Sequence, residues 1–164
     1  MHYAHLSYWY SGCIAVLGCI RLGPYQQKMS SNIATPAVTA FFDHTTSTPS
    51  YAAADMASKV CAILDPVLEF DERSAEITTR GAEKILEHLQ MNELSCEYIL
   101  ETHPHADHLS AGYFLKQRLD APIGMGHLIV DAQRVFAEMY YETPRFKRDG
   151  SQFDLLLTDT QNLY

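Results

Sequence analysis

A chain of 164 residues, 47% apolar and 20% charged, has the length of one domain and enough apolar residues to build a core. Twenty acids against twelve bases give a net charge of −8, which excludes a nucleic-acid binder that must neutralise phosphates with clustered Lys and Arg. No apolar run approaches the roughly eighteen residues of a spanning helix, so no membrane partner is expected. The cysteines Cys13, Cys19, Cys61 and Cys96 form no CxxC pair and read as thiols of a reducing compartment.

Charge is distributed unevenly. Residues 1–42 hold Arg21 and Lys28 and no acid, whereas 43–164 hold all twenty acids. This break divides the chain into a leader, residues 1–32, and a domain, residues 33–164. The leader lacks the basic flank of a secretory signal or of a lipoprotein box around Val16-Leu-Gly-Cys19, and it has too few arginines for a mitochondrial presequence. A native start at Met29, or an untethered tail, stands beside those readings.

Within the domain, Ala37–Phe42 is β-branched and aromatic and predicts a strand. Asp43–Ser50 is a Thr/Ser/Pro turn cluster. Val60–Leu64 is a short apolar run ended by Asp65-Pro66, as in strands buried on both faces. Ala82, Ile85, Leu86 and Leu89 recur at helical spacing behind Thr78 or Thr79 as N-cap. Cys96–Leu100 predicts a strand, followed by a His-rich loop and a helix over 109–119. Ala121–Met125 predicts another strand and Ile129–Met139 another helix. Strands alternating with helices predict an α/β fold. Cys61 and Cys96 fall in the strands, as core thiols.

The chemistry lies in the loop after Leu100. His103, His105, Asp107 and His108 form the pattern His-x-His-x-Asp-His, and their imidazoles and carboxylate suit Zn²⁺ or Fe²⁺. If the loop stays extended, His103, His105 and Asp107 share one side and His108 addresses a neighbouring position. Asp65 reads either as a hydrogen-bonding support for this loop or as the first residue of an Asp-Pro turn. Glu101 is placed to support His105. Arg145, Lys147 and Arg148 form a small basic cluster that can meet a carboxylate.

His103-Pro-His-Ala-Asp-His108 behind an apolar strand resembles the metal motif of the metallo-β-lactamase superfamily. The longer strings Ile99-Leu-Glu-Thr-His-Pro-His-Ala-Asp-His-Leu-Ser-Ala-Gly112, Ile63-Leu-Asp-Pro-Val-Leu-Glu-Phe-Asp71 and Gly150-Ser-Gln-Phe-Asp154 are similar to its persulfide dioxygenase branch, close to glyoxalase II. The resemblance covers about residues 33–158. It implies an αββα sandwich, here only its N-terminal half. His103 matches the first iron ligand of the dioxygenases, and His105 shares that metal position in the hydrolases. Asp107 and His108 match the hydrolases' second metal position.

The function so implied is Fe²⁺-dependent oxidation of a glutathione persulfide to sulfite. The alternatives are a glyoxalase II-like thioester hydrolase with a two-metal site, where Zn²⁺ is the alternative cofactor, and an inactive half-domain. The family draws a further histidine and aspartate from downstream of Asp154, whereas this chain ends at Tyr164. Half a sandwich leaves a sheet face uncovered, so poor solubility, a homo-oligomer or dependence on a missing half is expected. The expected partner is a small glutathione-type thiol, and the expected compartment is the cytoplasm, or the mitochondrion in a eukaryote.

Overall fold

The computed structural model describes residues 35–105, 108–141 and 145–163, so the leader assigned to 1–32 lies outside the described residues. Strand β1 (Ala37–Asp43) turns back into β2 (Thr48–Asp55) with Ala37 opposite Ala54. The Asp43 carboxylate organises this turn, accepting from the Thr45 and Thr46 amides at 3.2 and 2.9 Å and from the Thr46 hydroxyl at 2.6 Å. The turn cluster is therefore shorter than the sequence predicts, because β2 begins at Thr48. Three consecutive alanines carry little strand preference of their own, but pairing on both sides holds β2 extended.

Next come β3 (Val60–Leu64), β4 (Val67–Asp71), β5 (Glu76–Thr78) and helix α1 (Arg80–Met91), whose N-cap is Thr79. They are followed by β6 (Ser95–Glu101), the two-residue β7 (Leu109–Ser110) and α2 (Gly112–Leu119). Strand β8 (Ile123–Gly126), α3 (Ile129–Met139) and β9 (Leu155–Leu157) complete the order. The predicted helix over 109–119 is corrected at its start: Leu109 and Ser110 pair with Leu68 and Val67 of β4, and the helix begins at Gly112.

The larger sheet runs β1-β2-β3-β6-β8-β9 and the smaller β5-β4-β7. Strands β3, β6, β8 and β9 are mutually parallel, so their carboxyl ends share one edge. Loops at that edge are where α/β sheets gather binding groups. On one sheet face Cys61, Ile63, Ile99 and Ile123 pack with Ala82, Ile85 and Leu89 of α1 and Leu115 of α2. Their spacing is two in the strands and three to four in the helix, as burial of one face demands. Cys61 and Cys96 are register partners; Cys61 is fully buried and Cys96 half-buried, and both are free thiols.

On the opposite face, residues at the sheet centre are also buried. Ala53, Ala62, Leu64 and Leu100 are buried, and two of the four are alanines with little apolar area to shield. Exposed apolar side chains gather instead on β1 (Val38, Phe42) and along α3 (Val135, Phe136, Met139). Among the described residues, no helix is long and apolar enough to cross a membrane.

The Gly150–Asp154 segment docks β9. Gln133 of α3 accepts the Gly150 amide at 3.0 Å, and Asp154 accepts the Ile123 amide at 2.8 Å while pairing with Lys116. Gly150 sits at φ +73°, where a Cβ would come within 2.8 Å of Leu156. Removing the Asp154 acceptor leaves the Ile123 amide without its partner. Asp154→Ala is therefore expected to lower unfolding stability by about 1–2 kcal/mol in urea titrations. An unchanged midpoint would show that β9 does not depend on this carboxylate.

Candidate metal centre

Parallel pairing of β3 with β6 sets Leu64 beside Leu100, and the next residues, Asp65 and Glu101, therefore meet at the carboxyl edge. Asp65 leaves its strand at φ 47°, a left-handed conformation that Asp adopts more readily than most residues. There its Oδ1 accepts the Thr102 amide at 2.8 Å and its Oδ2 accepts the Thr102 hydroxyl at 2.7 Å. Of its two sequence readings, support of the histidine loop is the one the structure has. The Asp65 carboxyl lies below the usual carboxylate range: burial opposes this, but hydrogen bonds from His105 and Thr102 outweigh it.

These bonds fix the histidines. The Thr102 hydroxyl spends its single proton on Asp65, so toward His103 Nδ1, 2.8 Å away, it must accept. His103 thus carries its proton on Nδ1 and its lone pair on Nε2. His105 Nε2 lies 2.7 Å from Glu101 Oε2 and 3.3 Å from Asp65 Oδ1, two carboxylates that only accept, so Nε2 is the donor. Glu101 in turn accepts the Ser110 hydroxyl on Oε1. His108 Nδ1 lies 3.1 Å from the Leu109 carbonyl, which again makes Nδ1 the donor.

The nitrogens opposite these bonds are His105 Nδ1 and His108 Nε2, and both are buried with no hydrogen-bond partner. The rings converge, with centroids 4.4 Å apart for His103 and His105 and 4.1 Å for His105 and His108. Burial disfavours a charged His105, yet the hydrogen bonds and charges of Asp65 and Glu101 raise its pKa to about 9. In the metal-free chain its Nδ1 therefore carries a buried proton with no acceptor, an expensive arrangement. An ion at Nδ1 would take that proton's place.

Asp65, His103 and His105 each offer a donor atom within 4.8 Å of the others, so a metal suits this cluster. Within the trio the hydrogen bonds assign different parts. The Asp65 oxygens are engaged by Thr102 and His105, which makes Asp65 a support for the imidazoles rather than a competitor for the ion. Of the sequence-predicted site, the structure brings together His103, His105 and His108, while Asp107 lies outside the described residues. The parts of Thr102 and Ser110 were missed by sequence reasoning. Thr102 adjoins His103, but only the fold shows that its hydroxyl links Asp65 to that ring.

Residues 53–162 match the metallo-β-lactamase superfamily model. Over 127 residues the chain is 46% identical to a beta-lactamase hydrolase-like protein of Xylella fastidiosa, covering 77% of this chain and 29% of the relative. It is 40% identical over 126 residues to a Burkholderia pseudomallei protein named as a probable metallo-hydrolase, covering 77% and 43%. It is 42% identical over 110 residues to glyoxylase B2 of Dictyostelium discoideum, covering 65% and 37%. The chain therefore spans less than half the length of these curated relatives.

Asp65→Ala strips two acceptors from Thr102 and one from His105. The metal-free variant is expected to lose about 1–3 kcal/mol of unfolding stability. Asp65→Asn keeps an acceptor and tolerates the left-handed φ, so it should lose less. Equal midpoints for wild type and Asp65→Ala in denaturant titrations would contradict this role.

Proposed function

The chain belongs to the metallo-β-lactamase superfamily, and on that premise we propose that it carries the metal-holding loop of an Fe²⁺-dependent persulfide dioxygenase acting on glutathione persulfide. The observation that carries the metal reading is the pair of buried, unpartnered imidazole nitrogens on converging rings. Polar atoms are rarely buried without partners unless something else satisfies them. The substrate reading is supported by the likeness of Ile99–Gly112 to the dioxygenase motif.

In this reading His103 and His105 are the ligands this loop offers first, through Nε2 and Nδ1. When bound, the iron would supply Lewis acidity and redox chemistry for the persulfide sulfur and dioxygen. The chain's own residues set the orientation. Thr102, itself held by Asp65, holds the His103 ring, Glu101 holds His105, and burial of the two carboxylates keeps water from competing for their bonds. Arg145 and Lys147 are exposed and supply positive charge for a glutathione carboxylate.

His108 favours a second reading, a two-metal thioester hydrolase. Its buried Nε2 provides a donor beside the first position, where Asp107 would join it. In that reading His105 and His108 would help hold a pair of metals, which would supply Lewis acidity and a nucleophilic hydroxide for thioester hydrolysis.

Anaerobic loading with Fe²⁺ or Zn²⁺, desalting and elemental analysis separate these readings. About one iron per chain, with oxygen uptake on glutathione persulfide, is expected. His103→Ala and His105→Ala should each abolish metal retention. About two zinc ions per chain, with thioester hydrolysis and no oxygen uptake, would favour the hydrolase. No retained metal would overturn both.

A further inference from the structure

We propose that the start of α2 is a seat for the Glu101 carboxylate, with Ser110 and Gly112 acting as positioning residues for the metal-facing nitrogen of His105. This inference rests on the metal reading above and extends it from the histidines to a different part of the chain. Glu101 ends β6, and its side chain is only 4% exposed. One oxygen holds His105 Nε2; the other accepts the Ser110 hydroxyl, whose oxygen in turn receives the Gly112 amide at 2.9 Å. The link therefore runs from the helix backbone through a hydroxyl and a carboxylate to one edge of the imidazole.

Gly112 makes the space for it. A Cβ there would lie 2.9 Å from Glu101 Oε1 and 3.0 Å from Ser110 Oγ, so the carboxylate and the hydroxyl would have to shift to make room for it. The room it leaves is occupied by the carboxylate that orients His105. Ser110 is itself exposed, while its hydroxyl is bonded to the buried Glu101 carboxylate.

The test is the zinc dissociation constant of the whole chain, by chelator competition, for wild type, Ser110→Ala, Gly112→Ala, Glu101→Gln and Glu101→Ala. Glu101→Ala should weaken binding about 10–100-fold, the usual effect of removing a support of a ligating histidine. Ser110→Ala and Gly112→Ala should weaken it in the same direction. Glu101→Gln should recover part of the loss, since its carbonyl still accepts from Nε2–H. In the Glu101→Ala background, neither Ser110→Ala nor Gly112→Ala should have further effect, because both act through the missing carboxylate.

A second readout needs no metal. The His105 Nε2–H resonance in ¹⁵N-histidine spectra should move in Ser110→Ala and Gly112→Ala relative to wild type. Zinc binding by wild type with unchanged constants in the variants would overturn the seat and leave the metal reading standing. Absence of both zinc and Fe²⁺ binding in wild type would overturn the metal reading, and an unmoved Nε2–H resonance would overturn the seat independently. Additive effects in the Glu101→Ala background would likewise overturn it.

Discussion

An imidazole has two nitrogens on different edges of one ring, and committing one of them decides what the other can do. At His105 the commitment is made by buried carboxylates: Glu101 at 2.7 Å and Asp65 at 3.3 Å both take Nε2. Everything else about the site follows from that choice. That leaves Nδ1 inside the protein without a partner, on a ring whose centroid lies 4.4 Å from that of His103 and 4.1 Å from that of His108. A buried polar atom in that position is a demand on the structure, and a cation is the simplest group that meets it.

The fold supplies the two carboxylates through strand register. With β3 and β6 parallel and Leu64 beside Leu100, the residues that follow emerge together at the carboxyl edge. Asp65 and Glu101 would repel one another there if nothing stood between them. The raised His105 pKa and the lowered Asp65 pKa record how the imidazole and the Thr102 donors balance those charges. The same network reaches His103 through the Thr102 hydroxyl, so neighbouring imidazoles are oriented by one Asp and one Glu. Low exposure makes each of these bonds stronger than it would be in water.

Much of this was legible in the sequence. His-x-His-x-Asp-His marked the site, and the apolar run at 60–64 marked one of the strands that carry it, because a strand buried on both faces needs no alternation; 96–100 was also legible as a strand. Glu101 was readable as a support of His105, while Asp65 read equally as a support or as a turn residue until its bonds to Thr102 and His105 decided it. What escaped depends on pairing rather than on local composition. Strand β2 is held by its neighbours despite its alanines, and β7 is two residues of a helix-like run captured by β4. The hydroxyl links through Thr102 and Ser110 escaped for the same reason, since a hydroxyl acquires a role only once the fold chooses its acceptor. Asp107 is expected as a ligand from the motif alone, and it lies outside the described residues.

The central claim is that buried carboxylates hold His105 by Nε2 so that a metal meets it at Nδ1. A crystal structure of the zinc-loaded chain, with the ion located by anomalous scattering at the zinc edge, tests it most directly. The account expects the ion about 2.0–2.1 Å from His105 Nδ1 and from His103 Nε2. It expects Glu101 and Asp65 hydrogen-bonded to the rings and outside the coordination shell. An ion on His105 Nε2, or one coordinated by the Asp65 carboxylate, would contradict it.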